Sequence, residues 1–193
     1  MKLEEFHNIT PICNIPSILQ HGILSYARAS KLRHSSVALP AVQSKRDERK
    51  VPGGLALHEY ANVYFHARNP MMFRLKNEAD QICVLQVSTE ILNIAKAVVT
   101  DGNAASNYVR FYSPERIGSI NLDDIFARNW KHPDDQIKEW RHKTAKCAEV
   151  LIPNCIPIQF LLGAYVLNET VERELQSSGF SLPVCIDPNL FFC

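Results

Sequence analysis

Residues 141–153 read RHKTAKCAEVLIP. The first half is polar and continues a helical pattern from residue 134, while residues 147–152 form an apolar run of buried-strand length. Inside that run sits one carboxylate, Glu149. An unpaired charge buried on a strand costs several kcal/mol. Glu149 therefore either points outward on the pleat, solvated or ion-paired, or faces a cleft where something polar uses it.

Working outward, residues 6–10, 62–66, 81–88, 96–100, 156–160, 163–167 and 182–186 read as strands. Residues 16–21 read as a helix closed by Gly22. Residues 70–76, 123–126 and 169–177 also read as helices, and residues 89–95 as a helical turn behind the cleanest strand, QICVLQVS. Strands outnumber long helices and do not alternate with them in βαβ order. That pattern predicts an α+β fold with a mixed or antiparallel sheet. Residues 25–54 are polar, without apolar periodicity, and read as a long loop. It holds seven basic residues between Arg28 and Lys50, and loops of that length in compact domains are usually functional.

A chain of 193 residues is enough for one well-cored domain spanning 1–193, and its net charge of +1 gives no global polyelectrolyte signature. Nucleic-acid contact would need local basic clustering, which residues 28–50 supply. The cysteines at 13, 83, 147, 155, 185 and 193 form no CxxC pair, and no His/Cys grouping has zinc-ligand spacing, so no metal is expected. Walker, GxGxxG, GxSxG and HExxH patterns are absent. Nothing resembles a signal peptide or a membrane span, so a cytoplasmic monomer is the expectation.

Three segments carry a family resemblance: NITPICNIPSILQHGILS (8–25), KRDERKVPGGLALHEYANVYFHARNPMMFRL (45–75) and KCAEVLIP (146–153). Together they resemble the DarT family of DNA ADP-ribosyltransferase toxins from toxin–antitoxin systems. The resemblance implies an ADP-ribosyltransferase-like split mixed or antiparallel sheet with flanking helices, binding NAD as co-substrate in a cleft. It implies transfer of ADP-ribose to a base of single-stranded DNA, thymine first and guanine next, and a macrodomain-type antitoxin as partner. Rival acceptors are RNA and protein, and a non-catalytic nucleic-acid-binding module is the non-enzymatic rival.

By the same resemblance Glu149 is the catalytic glutamate. Arg46 is the active-site arginine, touching the NAD phosphates and helping to activate the base. His7, Asn8, Ile9, Thr10 and Ser17 are the expected nicotinamide-side contacts. Lys45 and Arg49, in the basic loop 25–54 that is expected to cover the cleft, and Tyr64, Arg68 and Arg74, in the segment 60–74 that is expected to line it, are the expected DNA contacts. Tyr64 and Phe65 alternate on a strand, so at most one of them meets ligand. The chain departs from the family pattern at Pro11 and Asn103, where relatives carry histidines.

Overall fold

The computed structural model describes residues 3–193; Met1 and Lys2 lie outside the described residues. Ten strands form: β1 Glu5–Pro11, β2 Ile23–Leu24, β3 Tyr60–Tyr64, β4 Ile82–Ser88, β5 Val98–Thr100, β6 Phe111–Tyr112, β7 Glu149–Pro153, β8 Cys155–Ile156, β9 Leu161–Val166 and β10 Val184–Ile186. Among the described residues seven α-helices accompany them: α1 Ile15–His21, α2 Tyr26–Ala29, α3 Pro40–Asp47, α4 Pro70–Leu75, α5 Leu122–Phe126, α6 Gln136–Ala145 and α7 Glu169–Ser177.

Eight strands make one sheet in the order β10-β9-β4-β1-β3-β7-β5-β6, and β2 pairs with β8 apart from it. Every pairing in the large sheet is antiparallel except β9 with β10. That parallel pair is joined by α7, because two parallel neighbours need a crossover and cannot be closed by a hairpin. The fold is therefore α+β with a mixed sheet, as the strand pattern predicts.

Strand alternation divides the side chains between the two faces. Phe6, Val63, Phe65, Leu85, Val150 and Ile152 bury on one face, beneath apolar residues of α1, α5 and α7. Phe6 and Phe65 meet edge to face at 5.3 Å. The opposite face carries two smaller clusters, one around Ile9, Val84 and Met72 and the other around Val51, Leu57 and Leu151. Between those clusters runs a polar row: His7 pairs across to Tyr64, and Tyr64 across to Glu149.

β1 is registered with β4 at seven positions but with β3 at one, His7 with Tyr64. Beyond that bridge β1 and β3 part. The Asn8 amide Nδ2 donates to the Asn62 carbonyl at 3.2 Å, so one carbonyl facing the gap keeps a partner. This divergence is the split in the sheet.

Several sequence boundaries shift. Residues 25–54 are not an unbroken loop, since α2 and α3 lie within them. The α3 residues lack apolar periodicity because the helix faces a cavity and not the main core. Residues 156–160 are the end of the two-residue strand β8 followed by a 3-10 turn at 158–160, and β7 begins at Glu149 because Cys147 and Ala148 still turn out of α6. The edge strand Phe111–Tyr112 and the pair β2–β8 carry too few residues for a periodic signal.

Asn69 caps α4. Its Oδ1 accepts from Met71 N at 3.0 Å and Met72 N at 3.1 Å, and its Nδ2 donates to His66 O at 3.1 Å. The side chain is fully buried. Asn69→Ala is expected to cost about 2 kcal/mol, the upper end for an N-cap, because the freed groups stay away from water. Urea denaturation of the two proteins measures it. Among the described residues no helix is long and apolar enough to cross a membrane.

Candidate active site

Glu149 is fully buried at the start of β7. Its Oε2 accepts from Arg46 Nη1 at 3.0 Å, with Oε1 at 3.3 Å from the same nitrogen. Oε1 also accepts from Ala104 N at 3.1 Å. The glutamate is thus neither solvated on an outer pleat nor open to the cleft. It lies one layer below the cavity surface, with Arg46 above it.

Thr100 holds the strand end. Its Oγ1 accepts from Glu149 N at 3.0 Å and donates to Gly102 O at 2.7 Å. Charge-assisted bonds from both a guanidinium and a backbone N–H offset the desolvation of the carboxylate. The cation comes from α3, where Pro40 sits at the first helical turn and basic residues occupy the last. Arg46 is 7% exposed. Among the described residues its Nε and Nη2 have no protein partner, so one edge of the guanidinium remains for a ligand.

Tyr64 stands beside Glu149 in the cross-strand row. Its hydroxyl donates to Met71 Sδ at 3.1 Å. Burial, and next the neighbouring Glu149 carboxylate, push its phenol well above the ordinary tyrosine value, so it remains a protonated donor. Phe65 is buried on the other face, so of this adjacent pair only Tyr64 reaches the cavity.

A cavity of about 950 Å³ opens at the split of the sheet, near the top of the range for small-molecule sites. Asn8, Ile9, Thr10, Ser17, Arg46, Tyr64 and Arg74 line it, as do Asn103 and Cys147 at its inner end. Arg74 Nη2 also donates to Val37 O, tying α4 to the segment before α3.

Other expected site residues are placed elsewhere. His7 does not line the cavity. Its Nδ1 accepts from Ala67 N at 2.8 Å, which leaves Nε2–H to donate to Glu5 Oε1 at 2.9 Å. The Glu5 carboxylate also accepts from Tyr165 Oη and Gln86 Nε2, each at 2.8 Å. The His7 ring is therefore committed to joining β1, β4, β9 and the turn after β3. Arg49 is committed as well. Its Nη1 donates to the carbonyls of Ala104 and Ser106, and Nη2 to Asn107 Oδ1 at 3.2 Å. It pins the loop whose Ala104 N–H serves Glu149. Arg68 lies 4.0 Å over the Phe192 ring and donates to Asn189 O, a clasp on the last turn of the chain. Lys45 is exposed on α3 and off the cavity wall.

Burial alone would raise the Glu5 pKa, but hydrogen bonds from His7, Tyr165 and Gln86 outweigh it and hold the group below its ordinary 4.5. A depressed folded-state value gives stability that is present above 4.5 and lost as the pH falls through the folded value. The melting-temperature advantage of the wild type over Glu5→Gln is therefore expected to be largest near neutrality and to shrink in acid.

Composition and spacing give no sign of two groups at the site. The Ala104 N–H is a backbone donor brought in by a long-range return of the chain. Trp130, Trp140 and Lys143 reach the cavity wall from the segment between β6 and β7. Thr100, at the end of β5, lies outside the three segments that carry the resemblance.

A family model described as ssDNA thymidine ADP-ribosyltransferase, DarT, matches residues 7–192. The chain is 30% identical over 200 residues to a DNA ADP-ribosyl transferase–DNA ADP-ribosyl glycohydrolase fusion protein of Thermosipho africanus, covering 99% of the chain and 50% of the relative. It is 27% identical over 184 residues to a DNA ADP-ribosyl transferase of Thermus aquaticus, covering 89% of the chain and 78% of the relative. The solved structure of Thermosipho africanus DarTG in complex with ADP-ribose superposes with a TM-score of 0.84 at 30% identity, over 98% of this chain and 51% of that one. The Thermus sp. 2.9 DarT structure in complex with ADP-ribosylated ssDNA gives 0.85 at 24% identity, over 98% and 96% of the two chains. The chain thus spans about half the length of the Thermosipho fusion protein. With residues 7–192 inside the family model, it belongs to the DarT family of ssDNA thymidine ADP-ribosyltransferases.

Proposed function

We propose that residues 1–193 act as one NAD-dependent ADP-ribosyltransferase domain that moves ADP-ribose from NAD onto a thymine base of single-stranded DNA. The observation that carries the reading is the buried Glu149–Arg46 pair at the floor of the cavity that opens where β1 leaves β3. Support also comes from the family and from relatives solved with NAD+, ADP-ribose and ADP-ribosylated ssDNA.

Loss of nicotinamide develops positive charge on the ribose, and a fixed carboxylate beside it lowers that barrier. Glu149 is the group for this role once the Arg46 side chain above it moves aside onto the ligand, since a sheet strand holds the carboxylate more rigidly than a loop would. Arg46 takes the NAD diphosphate or the developing anion of the base through the guanidinium edge that faces the cavity. A guanidinium does not accept a proton at working pH, so the proton of the base nitrogen leaves through Glu149 or water. Asn8, Ile9, Thr10 and Ser17 form the wall for the nicotinamide end, and Tyr64 and Arg74 lie toward the acceptor.

The relative fused to a DNA ADP-ribosyl glycohydrolase supports a paired arrangement in which a second protein removes the mark. On this reading the chain is the toxin, its partner a macrodomain-type antitoxin, and the setting a reducing cytoplasm compatible with six free thiols. The test is mass spectrometry of defined oligonucleotides after incubation with NAD. A gain of one ADP-ribose on thymine in single strands, and none on RNA or protein, is the expected result. Modification of guanine alone would change the base, and modification of protein alone would end the DNA reading.

A further inference from the structure

We propose that His58 is a positioning residue that sets the bearing of α3 and so aims Arg46 between Glu149 and bound NAD. The proposal rests on the reading in which Arg46 meets NAD, and it names what holds that side chain on course.

α3 carries an active-site group without an apolar anchor of its own. Its one buried residue is Arg46 itself. With no buried apolar side chain, no hydrophobic stripe fixes the rotation of the helix about its axis. A small rotation is magnified at the end of a side chain as long as arginine. The bearing comes instead from polar contacts one turn apart. His58 Nε2–H donates to Gln43 Oε1 at 2.9 Å, and His58 Nδ1 stands 3.3 Å from Asp47 Oδ1. Gln43 and Asp47 are four residues apart and share one face of α3, with Arg46 in the turn between them. Among the described residues, the side chains of α3 are bonded from outside the helix by His58 and Glu149 alone. The His58 ring, 13% exposed, also lies against Tyr26 of α2 with centroids 4.3 Å apart. One imidazole thus ties together the two helices on either side of residues 30–39. Tyr26, Gln43 and Arg46 line the cavity and His58 does not, so its effect on a ligand passes through those helices.

His58 itself stands on firm ground. Its neighbour Leu57 is fully buried beside Val51, Tyr60 and Leu151, and Leu57 N donates to Arg49 O at 2.9 Å. Glu59 Oε2 accepts from Ala56 N at 3.1 Å and closes the turn. Two residues after His58, Tyr60 opens the β3–β7 ladder opposite Pro153, and Tyr64 ends it opposite Glu149. Both halves of the Glu149–Arg46 pair are therefore set from one pair of strands. The carboxylate is set directly, and the guanidinium through His58 and α3. When Arg46 leaves the carboxylate for a ligand, the His58 contacts keep the helix in place.

Calorimetric titration of the full chain with NAD, without DNA, reads this arrangement. His58→Phe keeps a ring against Tyr26 and removes both nitrogens. It is expected to raise the Kd for NAD about tenfold, the scale of one misaligned charge-assisted hydrogen bond, with the thermal melt little changed. His58→Gln loses the ring but keeps an N–H for Gln43, and is expected to bind NAD nearly as the wild type does. In an Arg46→Lys protein, adding His58→Phe should weaken NAD binding no further, because the group being aimed is gone. An unchanged Kd in His58→Phe, an equal loss in His58→Gln, or the same loss in the Arg46→Lys background would overturn the role. If the wild type transfers to no oligonucleotide while the contrast between His58→Phe and His58→Gln in NAD affinity persists, the positioning role stands and the DNA reading falls.

Discussion

Glu149→Gln is expected to lower transfer by about 100- to 1,000-fold, the usual loss when one preorganised electrostatic group is removed from a transition state, while the protein stays folded. The amide keeps the volume of the carboxylate and keeps an oxygen for Ala104 N–H at the Oε1 position. On the proposed mechanism, what it loses is the negative charge that balances the cation growing on the ribose. Glu149→Ala is a poorer test, because it also empties a fully buried site and leaves Arg46 without its anion. The loss should fall on kcat, since the interaction is made in the transition state and not with bound NAD. Single-turnover transfer followed by mass spectrometry, with a thermal melt alongside, separates chemistry from folding. Retention of most of the wild-type rate would remove Glu149 from the reaction.

Arg46→Ala is expected to be the most destabilising change at the site, by about 3–5 kcal/mol, because it strands a buried carboxylate without its cation. Transfer should fall as well, since the guanidinium edge facing the cavity goes with it. A double-mutant cycle isolates the first effect. Arg46→Ala combined with Glu149→Gln should recover much of the lost stability and none of the activity, since the neutral amide no longer needs a counter-charge. Urea denaturation of the four proteins measures the coupling. A double variant as unstable as the sum of its parts would mean that the pair contributes nothing beyond packing.

The strand β4 and the helix α7 were legible because each has a strong periodicity and a clear boundary; Asn168 caps α7 with bonds to Thr170 N and Val171 N. Gly22 was legible as a helix stop, and it adopts φ +76° with its α-carbon side pressed against Ile156 O. Glu149 stood out because a lone acid in an apolar run must be explained by a partner. The resemblance named Arg46 as a phosphate contact and not as that partner, since 103 residues separate Arg46 from Glu149 and no local pattern links them. His7 lies off the cavity wall for a physical reason that the sequence contains. Glu5 and His7 lie two apart on one strand and share a face, so their mutual bond was the simplest use of both. Arg49 and Arg68 bond backbone carbonyls here because a guanidinium on a loop satisfies carbonyls as readily as phosphates, and sequence does not show which carbonyls come near.

Because α6 contributes nothing to the interior, substitutions along its exposed side carry little folding penalty, within about 0.5 kcal/mol for most surface changes. The Glu149–Arg46 pair has no such latitude, being locked between a strand and the cavity floor.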